Sequence, residues 1–343
     1  MVMCRSASFR YRWRIITEWL SWLQVVAVLR PAPSWQTIFP GKLPFSRPQC
    51  AAKEGTEFGS AATMEELPLL LLKTVFLRPY VFVFLAAFLL IGRSLLGWRR
   101  TGLFLLVSWF TAFVCEFSST RVGVPFGFYY YTGSTFGQEL YIADVPFMDS
   151  LSFTFLLFAS YCMALVFLLP AISASSARSV ELILDPRIRT AWPSLVLTAT
   201  FLMFIDVIID PVALRGDRWF LGLIYGYPEP GLYFGIPLMN FVGWAVVGLI
   251  ALSIYFMFDR RLPPLPPSAT TTRHLLLGCA LYYGVLLFNL TITFWIDEPF
   301  LGLVGVMIYL PVLILFALRL LNRMPGAIAS CQPSSAQSFT LSR

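Results

Sequence analysis

Charge is scarce in this sequence: 13% of its 343 residues are Asp, Glu, Lys or Arg, where a soluble domain carries about 25%. With 58% hydrophobic residues the chain has little polar surface to offer water, and lipid is its expected solvent. Histidine is rarer still. The single one, His274, cannot supply the imidazoles of a histidine-box di-iron site or an ordinary haem site. Six cysteines, at 4, 50, 115, 162, 279 and 331, form no CxxC pair and no metal-ligand spacing. Cys115, Cys162 and Cys279 lie in hydrophobic runs and read as small core residues. The last apolar run holds no lysine, which argues against a retinal Schiff base. No Gly-rich phosphate loop occurs, and the sequon at Asn289 falls inside an apolar run, where a glycan is not expected. Neither a metal nor an organic cofactor is expected.

What is present is apolar length. Seven stretches approach the roughly 20 residues of a membrane-crossing helix: 74–92, 102–119, 150–170, 191–211, 237–258, 275–296 and 300–321. The expected fold is all-α, a polytopic integral membrane helix bundle of about seven transmembrane helices. Aromatic residues at 16%, with 32 Phe, suit lipid-facing helices and also a site for a long apolar ligand. Loop arginines set the orientation. Arg93, Arg99, Arg100, Arg178, Arg187, Arg189, Arg260, Arg261, Arg273, Arg319 and Arg323 gather on one side. Arg121, Arg215 and Arg218, with Lys73 and Arg78, lie on the other. The richer side is expected to be cytoplasmic, which puts Met64 outside and the C-terminus inside a multi-pass protein of the cell (inner) membrane.

Residues 1–63 carry eight Lys/Arg and three Asp/Glu, a net +5 of the total +7. The nearly neutral body gives no support for a nucleic-acid partner. The first segment is too polar at its start for a signal peptide and lacks a clear small-residue cleavage site. Two readings of it stand: an amphipathic interfacial helix over 13–29, or a mis-assigned start with Met64 as the natural one. The expected organisation is an extension over 1–63, disordered or mis-assigned, a seven-helix domain over 64–325 and a disordered tail over 326–343.

Ionisable groups inside a membrane body are costly and tend to be functional. Glu116 falls near the outer end of the second run, Asp206 and Asp210 near that of the fourth, and Asn240 begins the fifth. Asp206 and Asp210 are spaced i,i+4 and share one helix face. Two carboxyls so placed do not both ionise easily; they titrate as a unit and can keep a proton available for general acid chemistry. The structural alternative is ion pairing of Glu116 or the aspartates with Arg121, Arg215 or Arg218. Asp217, Glu229, Asp297 and Glu298 read as solvated loop and turn residues.

Three runs then carry a resemblance. They are EFSSTRVGVPFGFYYYT over 116–132, DVIIDPVA over 206–213 followed by Trp219, and YFGIPLMNFVGW over 233–244. In this order they resemble the carotenoid biosynthesis family of membrane proteins, which includes carotenoid 1,2-hydratases and bisanhydrobacterioruberin hydratase, and the likeness covers roughly residues 75–320. The resemblance implies a cofactor-independent hydro-lyase that adds water to the terminal double bond of an acyclic carotenoid. It implies a carotenoid and water as reactants, membrane lipid as surroundings and other carotenoid-pathway enzymes as candidate partners. Protonation of the alkene gives a tertiary cation, which water traps. Asp206, Asp210 and Glu116 are the expected catalytic groups. Phe126, Tyr129, Tyr131, Trp219, Tyr233, Asn240 and Trp244 are expected to line the substrate, where aromatic faces stabilise a cation.

Each assignment has a plainer counterpart. Some of Tyr129–Tyr131 fits an interfacial aromatic belt, Pro125, Gly127, Gly235 and Pro237 shape loops, and Asn240 and Trp244 serve the helix start and packing. Two other functions stay open: a lycopene-type cyclase, which shares the protonation step, and a proton-coupled transporter or lipid-binding protein that uses the acids as a relay.

Overall fold

The computed structural model describes residues 66–173, 180–182, 184–265 and 271–321, all within one compact unit, Ala62–Arg343. The extension over 1–63, its helix over 13–29, the tail over 326–343, Arg178 and Arg323 lie outside the described residues.

The elements in chain order are α1 (Leu67–Leu77), α2 (Pro79–Leu96), α3 (Trp98–Val122), β1 (Tyr130–Tyr131), β2 (Tyr141–Ile142), β3 (Val145–Pro146) and α4 (Phe147–Leu168). There follow β4 (Ala171–Ser173), β5 (Val180–Leu182), the single turn α5 (Pro186–Arg189), α6 (Trp192–Ala213), β6 (Tyr225–Gly226), α7 (Leu238–Asp259), α8 (Thr271–Trp295) and α9 (Pro299–Leu320). Seven of these helices, α2, α3, α4, α6, α7, α8 and α9, are long and apolar enough to cross a membrane. Six match the expected stretches closely. The first is displaced, because the residue before a proline is pushed out of the helical region. Arg78 accordingly breaks the run with ψ near 50°, and Pro79 opens α2 as its first residue.

The bundle is built around α4, whose residues 150, 151 and 153–166 are all buried against α2, α3, α6 and α8. Aromatic rings fill that centre: Phe88 lies 4.9 Å from Phe158 and Phe104 lies 4.9 Å from Tyr255, centroid to centroid. Cys162 and Cys279 are buried free thiols, as their apolar runs suggest. Asn289 is buried on α8 and donates to the Val285 carbonyl, so its sequon is closed within the helix.

Two connections, 123–146 and 214–237, join into a cap over one end of the bundle. Strands β1 and β6 pair antiparallel, Tyr130 opposite Gly226 and Tyr131 opposite Tyr225. Strands β2 and β3 form a hairpin whose turn residues Ala143 and Asp144 both have positive φ, as a two-residue hairpin turn requires. Arg78 clasps both connections: its guanidinium pairs with Glu139 at 3.0 Å and donates to the Leu221 carbonyl at 2.5 Å.

The opposite end is held by Asp259, which accepts from Arg100 Nε at 2.6 Å and forms an ion pair with Arg189 at 2.6 Å. Arg319, also buried, donates to the Val166 and Leu169 carbonyls. Part of the arginine bias of that side is therefore internal bonding. The hairpin β4–β5 lies on this side as well.

Candidate active site

Four helices deliver polar groups to the space beneath the cap. From α3 comes Glu116, buried and accepting from Ser150 Oγ at 2.5 Å. Next to Ser150 on α4, Asp149 accepts from the Tyr131 hydroxyl at 2.7 Å. The Tyr131 and Tyr129 hydroxyls are 3.3 Å apart. From α6 come Asp206, completely buried, and Asp210, one turn on. Asn240, at the start of α7, donates its carboxamide to Asp206 Oδ2 at 3.1 Å and also to Asp210 Oδ2. The shared i,i+4 face is thus bridged by a side chain from another helix, and Asn240 does not cap its own.

Loop packing completes the enclosure. Phe126 N–H donates to Ser119 Oγ at 3.0 Å, one turn beyond Glu116. Gly243 lets Phe126 approach α7, since a Cβ there would stand 2.7 Å from Phe126 Cα. Trp244 stacks on Phe153 at 5.5 Å and meets Phe126 edge-on at 6.0 Å. The Tyr225 hydroxyl donates to the Asp210 carbonyl at 3.1 Å, which fixes β6 to the end of α6.

The result is a cavity of about 50 Å³ lined by Glu116, Phe126, Tyr129, Asp149, Asp210, Tyr225, Tyr227, Asn240 and Trp244. A water needs roughly 10–15 Å³ of such volume and several polar partners, so the space suits a few waters. Burial, reinforced by the neighbouring carboxyls, pushes the pKa of the Tyr129, Tyr131, Tyr225 and Tyr227 phenols well above the ordinary value. They remain neutral hydrogen-bond donors.

The arginines that offered a structural account of the acids are engaged elsewhere. Arg121 pairs with Asp144 at 3.3 Å, and Arg215 and Arg218 both pair with Glu298. Glu298 is therefore an ion-pair partner, which corrects its reading as a merely solvated turn residue. Among the described residues, no group of three or more His, Cys, Asp or Glu is arranged to hold a metal ion.

Of the residues singled out from sequence, Glu116, Asp210, Phe126, Tyr129, Asn240 and Trp244 line the cavity, and Asp206 and Tyr131, outside the lining, are bonded to the lining residues Asn240 and Asp149. Trp219 and Tyr233 are not among the cavity lining. A 3-10 turn over Gly216–Arg218 swings Trp219 toward α2 and α8, against Tyr80 and Phe288, and its indole donates to the Val212 carbonyl at 3.0 Å. Tyr233 packs on Phe234 at 4.9 Å and on Phe241 at 5.6 Å. Phe128 and Tyr130 are 57% and 51% exposed, positions that fit an interfacial belt.

Sequence reasoning missed Asp149, Tyr225 and Tyr227. Asp149 sits one residue before the expected start of its helix and so falls outside the spans in which acids were sought. Tyr225-Gly226-Tyr227 repeats the Gly-punctuated aromatic character of 126–131, a signal that only the pairing of the two loops makes meaningful.

A polytopic helix bundle with acids from three helices around a small polar cavity defines the class: a multi-pass membrane protein with a candidate acid–base centre. The chain belongs to the carotenoid biosynthesis protein family, whose sequence profile matches residues 69–312. It is 29% identical over 163 residues to bisanhydrobacterioruberin hydratase of Haloarcula japonica, an alignment that covers 47% of each chain. The chain thus spans about half the length of that curated relative. No solved structure matches the chain.

Proposed function

We propose that this protein hydrates the terminal double bond of an acyclic carotenoid without a cofactor. The observation that carries the reading is the Asp206/Asp210 pair, bridged by Asn240, whose Asp210 member lines one small cavity together with Glu116. In this scheme the pair gives a proton to the less substituted alkene carbon, and the positive charge develops on the tertiary carbon. Phe126, Tyr129 and Trp244 offer ring faces to that charge, and the ionised member of the pair stabilises it electrostatically. Water closes the C–O bond, and the proton it sheds returns to the carboxyl cluster. Alkene and water become a tertiary alcohol with nothing consumed.

An isoprenoid end group does not fit beside water in the cavity as it stands. Admission requires the cap connections to part, and the polyene then lies along the lipid-facing side of the bundle. Family membership and the likeness to the Haloarcula hydratase support this reaction class.

Expression in cells that accumulate lycopene tests the reading. A product heavier by one water is expected. An isomer of unchanged mass assigns the protein to cyclisation, and unchanged lycopene in membranes that contain the protein removes hydration of this substrate.

A further inference from the structure

We propose that Asp149 is the proton acceptor of the water-adding step and faces the Asp206/Asp210 donor pair across the cavity. The inference rests on the hydratase reading above. It starts from the division of the acids between walls. Asp206 and Asp210 come from α6, while Glu116 and Asp149 come from α3 and α4. Protonating one alkene carbon and deprotonating the water that attacks its neighbour are separate events. A group that has just given its proton is poorly placed to take one from a water on the far side of the substrate.

Within the second wall the two acids differ. Glu116 is buried and takes the Ser150 hydroxyl. Both line the cavity, but Asp149 is the more exposed of the two, half-buried, and has Oδ2 held by Tyr131 at 2.7 Å. That bond orients the carboxyl and leaves Oδ1 for a cavity water. Tyr129, 3.3 Å from Tyr131 hydroxyl to hydroxyl and itself in the lining, extends the donor line into the cavity. Of the donor pair Asp210 lines the cavity, while Asp206, one turn away on the same helix, has Oδ1 completely buried with no hydrogen-bond partner in the protein. Such an atom calls for a proton or a water.

A lone pair of the water oxygen forms the C–O bond to the tertiary cation. One O–H bond breaks with its electrons remaining on oxygen, and the proton passes to the Asp149 carboxylate. The donor pair is then one proton short and Asp149 carries one. Transfer through cavity water restores both.

Purified protein in detergent, given lycopene in deuterated water, separates the two roles. Wild type is expected to form alcohol carrying deuterium. Asp149→Asn should lose about 100-fold or more of alcohol formation while recovered lycopene still gains deuterium, because the donor pair keeps protonating the alkene reversibly. Asp206→Asn and Asp210→Asn should lose both signals. Tyr131→Phe keeps the acceptor but loosens it, so kcat should fall about tenfold at unchanged KM and the exchange-to-hydration ratio should rise. Alcohol formation by Asp149→Asn within threefold of wild type overturns the inference alone, as does loss of both signals in a folded variant. If Asp149→Asn does not fold, an unchanged ratio in Tyr131→Phe overturns it. A wild-type protein that adds no water overturns the hydratase reading and this inference with it.

Discussion

Arg78 and Glu139, 61 residues apart, form an ion pair in which both side chains are fully buried. The pair pins the 123–146 connection to the α1–α2 break, and the same guanidinium reaches Leu221 in the 214–237 connection. Removing one partner leaves the other charge buried, at a cost of about 3–5 kcal/mol. Arg78→Met should lower the melting temperature sharply and abolish conversion. Arg78→Met with Glu139→Leu should recover much of the stability, a coupling that a double-mutant cycle measures directly.

The donor pair yields the simplest activity test. Asp206→Asn or Asp210→Asn should cut conversion by about 100-fold or more, in the range of general acid catalysis. The protein level in the membrane fraction should hold, since Asn keeps the shape of the buried group. Pigment mass spectra and an immunoblot check the two halves, and full conversion by both variants would remove the aspartates from the chemistry.

Gly243 offers a test of geometry. An added Cβ would stand 2.7 Å from Phe126 Cα and 2.9 Å from the Pro125 carbonyl oxygen, both awkward to move. Gly243→Ala should cost about 1–3 kcal/mol by overpacking and displace the wall above Glu116. The expected result is a lower melting temperature together with lower turnover. Gly284→Ala, which meets nothing within 4 Å, is the control and should change neither.

Trp219 and Tyr233 separate packing from substrate contact. Because neither lines the cavity, Trp219→Phe and Tyr233→Phe should keep conversion within about threefold of wild type, well short of the loss expected for an acid–base group. Trp219→Phe forfeits the bond to the Val212 carbonyl and should still melt earlier by about 1 kcal/mol of stability.

Alkaline pH should loosen the cap. The Tyr129, Tyr131 and Tyr225 phenols are held above their ordinary value of 10.0 chiefly by burial. Above that pH the unfolded chain releases these protons while the folded chain keeps them. The unfolded state then binds fewer protons, so stability falls as pH rises. Melting curves across about pH 8 to 11 should show the fall, with a shallower slope in Tyr225→Phe.

The sequence by itself determined the membrane class, the number and approximate bounds of the spans, and the i,i+4 acid pair. Those features are local. A run of apolar residues needs no partner to reveal itself, and 206 and 210 share a face by helix geometry alone. Proline displaced the first span by local chemistry too, since the residue before Pro79 leaves the helical region.

Tertiary structure decided which polar groups meet. Asn240 bridges Asp206 and Asp210 because α6 packs on α7, and Glu116 meets Ser150 because α3 packs on α4. Tyr225 became a cavity residue through the pairing of β1 with β6, which sets it opposite Tyr131, 94 positions away in sequence, and Tyr131 in turn holds Asp149. Trp219 and Tyr233 carry the same aromatic character as Tyr129, yet they turn to other neighbours. Helix periodicity fixes the direction of a side chain on its own helix, whereas what it faces depends on long-range packing.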